Sequence, residues 1–340
     1  MQIIITVKTF GDEMAQFDSL IPSMQDLMKN VIDQLVTLEE PHINVKNLVA
    51  IHFTDDYRQE LFSFQESIGH HAFATRNKIA DGHAQVVLAE DGFHIFFSKL
   101  IPMTIMIGQL YEKSEEKHNA ELLTEIRLEK NRYLRMIKHE LAHVEDGNNQ
   151  KNWPWLKHAF EERNFMSVLQ HDAFRLWEEY YACRRSNFIH DADDTAEEIV
   201  SLLGNLQKAE EEICDLRWQY NTQEIELNDF VKLLHEYVRS AFVYCCYFMG
   251  HADWVHQYVV DQLKPELYPS RFYQYMPRMW AVLRSMADSY PDWEDIAICN
   301  ELADIILNAI RGFEVFPEDT AEGIFYNIPC KRLKPKAQEQ

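Results

Sequence analysis

Lys138-His139-Glu140-Leu141-Ala142-His143 carries the pattern H-E-x-x-H, and its setting decides how the chain reads. The spacing predicts a helix over residues 121 to 145, with Leu123, Ile126, Leu134, Ile137 and Leu141 near a helical repeat. At about 3.6 residues per turn, positions i and i+4 return to within about 40° of each other, so both imidazoles leave one face. Two ring nitrogens placed a turn apart can hold one metal ion. Glu140 lies about 100° round the helix from His139, where a carboxylate can face a metal-bound water without itself being a ligand. Asp146-Gly147-Asn148-Asn149 follows, and Gly147 is placed to end the helix just past the second His. The donor set suits zinc.

A catalytic zinc site needs three protein ligands and one open position. One known spacing, H-E-x-x-H-x-x-G-x-x-H, fails here, because its glycine position is Asp146 and its last position is Asn149. The other solution is a Glu from a later helix. Trp177-Glu178-Glu179-Tyr180-Tyr181-Ala182-Cys183-Arg184 is the best candidate, on a helix predicted over residues 165 to 188. Glu179 shares a face with Leu176, Ala182, Cys183 and Ser186, and small neighbours one turn on allow a close approach. Glu178 points toward Arg175, Arg185 and Tyr181, where a solvated ion pair is the natural role. Glu179 is therefore preferred over Glu178 as the third ligand. His171, two turns earlier on the same helix, is read as a polar surface residue.

His139-Glu140-Leu141-Ala142-His143 followed by Glu179-Tyr180-Tyr181-Ala182 resembles the gluzincin-type, thermolysin-like zinc metallopeptidases, with H-E-x-x-H on one helix and E-x-x-A on the next. The resemblance covers roughly residues 40 to 190 and leaves the C-terminal half unmatched. It implies a small sheet beside the active-site helix, Zn²⁺ held by His139, His143 and Glu179, and Glu140 as general base in peptide-bond hydrolysis. One departure is local: many members carry an Asp four residues after the ligand Glu, and this chain has Cys183 there. Another acceptor must then orient His139. No counterpart of the family's downstream oxyanion-steadying His or Tyr is matched.

Hydrophobic residues make up 46% of the 340 and aromatics 12%, ample for a large core. The net charge is −22, from 55 acidic against 33 basic residues. Such a surface repels phosphate backbones and anionic lipid, which argues against nucleic acid and membrane as partners. The six cysteines show no C-x-x-C pair or framework spacing, and Cys245-Cys246 reads as core. The first residues lack a basic lead with a long apolar run, and no stretch approaches the length of a membrane span. A reducing, cytoplasmic setting is expected, with a peptide or protein as substrate.

The expected fold class is α+β. A zincin-like region, residues 1 to 190, precedes a mostly helical region, 191 to 330, and a short basic tail, 331 to 340. Strands are predicted at 2 to 8, 43 to 53, 84 to 89 and 93 to 97, the last two joined by Glu90-Asp91-Gly92 as a hairpin. That sheet is ordinary core or an edge that accepts an extended substrate strand. His83 and His94 read as core or turn histidines. Helices are predicted over 12 to 38 with a break at Pro22, 55 to 67, 102 to 111, from Trp153 to about 162, 195 to 219, 226 to 249, 254 to 263, 272 to 290 and 294 to 313. The aromatic residues between 237 and 293 are read as bundle core.

Two other functions fit parts of the pattern. Glu140-Leu141-Ala142-His143 is also E-x-x-H, the unit of di-iron helical bundles, and Glu115-Glu116-Lys117-His118 repeats it in a charged, loop-like stretch. The second alternative is a non-catalytic helical interaction protein with a structural or vestigial zinc site.

Overall fold

The computed structural model describes residues 3–9, 12–37, 42–54, 63–64, 84–113, 120–159, 161, 164–186, 192–253 and 270–329. The helices predicted over 55 to 67 and 254 to 263, the Glu115-to-His118 repeat, His83 and the basic tail lie outside these residues, apart from helical 63–64. The fold is α+β, mostly helical with a small mixed sheet. Its contacts divide into two compact units, Met1–Lys151 with Arg185–His190, and Asn152–Arg184 with Asp191–Gln340.

The first unit holds β1 (Ile4–Val7), a 3-10 helix (Asp12–Leu20), α1 (Ile21–Thr37), β2 (Leu48–Thr54), β3 (Ala84–Leu88), β4 (Phe93–Ser98), α2 (Leu100–Lys113) and α3 (Ala120–Gln150). Pro22, the second residue of α1, is tolerated at a helix start because its missing N–H would have no partner there, so the predicted break falls where expected. Met24, Met28, Val31, Ile32 and Leu35 form the buried stripe of α1.

The sheet order is β1-β2-β4-β3, with β1, β2 and β4 parallel and β3 antiparallel to β4. Alternation along the strands separates two faces. Ile51, Phe53, Ile95 and Phe97 are fully buried on one, while Thr6, His52, His94 and Phe96 share the other by register. The β3–β4 hairpin closes on reciprocal backbone bonds between Ala89 and Gly92. Gly92 has φ +140, and a Cβ there would stand 2.4 Å from the carbonyl oxygen of Asn47, so glycine is required.

Gly147 does not end the helix that carries His139 and His143. The helix α3 runs three residues further, to Gln150. A Cβ at Gly147 would lie 2.5 Å from the ring of Phe93, so its missing side chain seats the helix on a buried aromatic of β4. Leucine at 147 regains about 1 kcal/mol of helix propensity, yet overpacking costs about 1–3 kcal/mol. Gly147→Leu should therefore lower the thermal midpoint, and a midpoint at or above that of the parent would refute the packing role.

The second unit holds a 3-10 turn (Pro154–Lys157), α4 (Phe165–Ser186), α5 (Ala192–Asn221), α6 (Leu227–Ala252), α7 (Met276–Ser289) and α8 (Asn300–Gly312). Among the described residues, the helix predicted to continue from Trp153 to about 162 is the Pro154–Lys157 turn. Trp153 and Trp155 instead donate their indole N–H groups to the carbonyls of Pro291 and Trp293, at 2.8 and 3.2 Å. A hairpin of β5 (Phe316–Thr320) and β6 (Gly323–Asn327) closes the described chain; the region read as helical carries these strands as well. Of the aromatic residues read as core, Phe242, Phe248, Phe272, Trp280 and Trp293 are buried, as are Cys245 and Cys246.

Asp253 ties three elements of this unit. It accepts from the Tyr180 hydroxyl, from Trp280 Nε1 at 2.7 Å and from Arg284 Nε at 2.7 Å. Asp253→Ala leaves two buried donors without an acceptor, at about 1–3 kcal/mol each. Denaturant unfolding should then show a loss of at least about 2 kcal/mol.

Candidate metal centre

From Ile137 to Asn148 every residue of α3 is buried. Six of these, Lys138, His139, Glu140, His143, Glu145 and Asp146, are ionisable. Burying such groups is costly unless each is bonded or bound, so this stretch is built for something other than packing. The expected helix face is present. His139 Nε2 and His143 Nε2 lie 3.1 Å apart, with ring centroids at 4.7 Å and ring planes at 85°. Two ligands at about 2.0–2.1 Å from a tetrahedral zinc are separated by about 3.3 Å, close to this spacing. Because the rings are nearly perpendicular, their in-plane lone pairs can meet at a third point. Ligation through both Nε2 atoms requires each ring to carry its proton on Nδ1.

The turn after His143 is anchored within the first unit. Arg185 grips Glu145 through Nε and Nη2, at 2.8 and 3.1 Å, and also donates to the His42 carbonyl. The Asn44 N–H donates to Glu145 Oε1 at 2.9 Å, and Asn148 joins Asn47 and the Asn44 carbonyl. Residues 43 to 47, read as the start of a strand, are instead the loop that makes these bonds. The sequence reading missed Glu145 and Asn148 because Glu-Asp-Gly-Asn-Asn looks like a stop signal.

Glu179 lies on α4 in the second unit, half-buried. Gly250 of α6 lets that helix close on α4 one turn beyond it: a Cβ would meet Cys183 Cβ at 2.6 Å and the Tyr180 carbonyl oxygen at 2.7 Å. Burial chiefly, then Cys245, Cys183 and the Glu179 carboxylate, push the Cys246 thiol well above its ordinary range. It stays protonated.

Glu178 departs from its expected role. It is buried at 2% exposure, with Arg175 Nη1 at 3.4 Å, so its ion pair is not a solvated one. Arg185, also expected beside it, is committed to Glu145. His171 is likewise not a surface residue: it is half-buried, and burial and Arg175 lower its pKa against Asp172 and Glu178. Burial and the Glu178 carboxylate push the Cys299 thiol up to about 12.

Among the described residues, one group can hold a metal ion. His139, His143 and Glu179 each offer a ligand atom, and these atoms all lie within 4.8 Å of one another. They are the three residues read from the sequence as candidate ligands.

No helix among the described residues is long and apolar enough to cross a membrane. Comparison with family models, curated proteins and solved structures gave no match.

Proposed function

We propose that the chain is a zinc-dependent metallopeptidase with a zincin-like arrangement of sheet and metal helix, hydrolysing peptide bonds with Glu140 as general base. The observation that carries this reading is the convergence of His139, His143 and Glu179 within 4.8 Å, with Glu140 on the turn between the two imidazoles. The gluzincin resemblance of the two motifs points the same way. Bound there, zinc would polarise a scissile carbonyl and lower the pKa of its water towards about 7. The chain's own residues do the rest. The two imidazoles and the Glu179 carboxylate would hold the ion. Glu140, buried at 3% exposure, takes a proton from the attacking water and returns it to the leaving amine. Burial keeps bulk water from competing for that proton.

The acidic surface, with net charge −22, disfavours nucleic acid and anionic membrane as partners. A peptide or protein substrate remains. The five described cysteines are free thiols, which suits a cytoplasmic setting.

Metal analysis of the purified chain, paired with a peptide library, tests the proposal. One zinc per chain is expected, with hydrolysis lost on chelation and restored by zinc. Two irons would support the di-iron reading instead, and one zinc with no cleavage of any library member would make the metal structural.

A further inference from the structure

A second histidine pair lies on the sheet of the first unit, and its geometry differs from that of the metal pair. His52 Nε2 and His94 Nδ1 are 3.2 Å apart, almost the separation found at His139 and His143. Here, however, the rings are coplanar to 2°, with centroids 5.6 Å apart. Coplanar rings meeting nitrogen to nitrogen make one N–H···N bond and leave no third point for an ion. The chain of bonds continues at both ends. His94 Nε2 lies 3.0 Å from Asp91 Oδ1, and Thr6 Oγ1 lies 3.0 Å from His52 Nδ1.

Only one placement of protons satisfies all three bonds with neutral rings and an acceptor-only carboxylate. Asp91 accepts from His94 Nε2–H, so His94 Nδ1 must accept from His52 Nε2–H, and His52 Nδ1 must accept from the Thr6 hydroxyl. The carboxylate therefore sets the tautomers of both rings and turns the Thr6 proton toward a base. Burial, His94 and Lys8 together bring the His52 pKa down to about 4, so the ring is neutral and able to accept a proton, as a weaker base than an ordinary imidazole. Phe96 stacks on His52 at 4.7 Å, and Phe64 lies 4.6 Å from His94, so the plane of the relay is held by aromatic contact. Thr6 sits on β1, an edge strand, and is partly exposed.

We propose that Thr6 is an activated nucleophile for acyl esters, with His52 as its general base and His94 and Asp91 as positioning residues. The Thr6 oxygen forms a bond to the ester carbonyl carbon as its proton passes to His52 Nδ1. The bond from that carbon to the leaving oxygen then breaks, and the leaving group departs as the alcohol with the proton from His52. Water repeats the sequence on the acyl-threonine, releasing the carboxylic acid and restoring the hydroxyl.

The test uses the full chain and p-nitrophenyl acetate, with chelator present to separate this chemistry from the metal centre. Release of nitrophenol and a single acetyl mapped by mass spectrometry to Thr6 are expected. Thr6→Val abolishes that product, Thr6→Ser retains it, and Asp91→Ala slows it by roughly 10²-fold or more, the scale of lost base catalysis. The side chain of Asp91 is 62% exposed, so its removal leaves the core intact. No acetyl on Thr6 in the parent protein, or an undiminished rate in Asp91→Ala, overturns the proposal. So does nitrogen-15 NMR of the parent that finds the ring protons on Nδ1 of His52 and His94, a readout that needs no variant.

Discussion

Glu140→Gln should keep its metal and lose turnover by roughly 10²–10⁴-fold. Glutamine has nearly the shape of glutamate but cannot accept a proton from water. Glu140 leaves α3 about 100° away from His139, so the substitution does not touch the pair whose Nε2 atoms stand 3.1 Å apart. Metal content measured beside kcat separates the two roles. One zinc per chain with a collapsed kcat and little change in KM is expected. A variant that turns over as fast as its parent would remove Glu140 from the mechanism. A variant that loses its metal would show that Glu140 helps to hold the ion, and the general-base role would need another owner.

Glu179→Ala removes one of the three proposed donors. Loss of an outer partner of a metal ligand already costs about 10–100-fold in affinity, and loss of a direct ligand should cost more. Competition with a chromophoric chelator measures this. Its control is the neighbouring residue. Glu178→Gln should leave zinc affinity unchanged but destabilise the second unit by roughly 1–3 kcal/mol, since Arg175 then loses a charged partner that is itself only 3% exposed. The opposite pattern, with affinity lost at 178 and kept at 179, would reverse the ligand assignment.

The elements that could be read from the chain are those whose signals are local. The helical repeat around Ile137 and Leu141, the break at Pro22 and the Asp91-Gly92 hairpin each depend on residues within one or two turns of one another. The β5–β6 hairpin had a comparable signal in Thr320-Ala321-Glu322-Gly323 before an apolar run, since Gly323 takes φ +130 where Gly92 takes φ +140. The surrounding helical pattern masks it.

Other features depend on partners distant in sequence. Gly147 looks like a cap until the ring of Phe93 is found where its side chain would be. Glu145 looks like surface charge until Arg185, 40 residues later, closes on it. Glu178 and Glu179 differ by one position, and helix periodicity separated their faces, but not their burial.

From its residues alone, the chain determined that two imidazoles leave one helix face a turn apart, because an α-helix has a fixed angular step. Tertiary structure decided that a second histidine pair became a hydrogen-bonded relay. Ring orientation and strand register come from packing, and no local repeat encodes either.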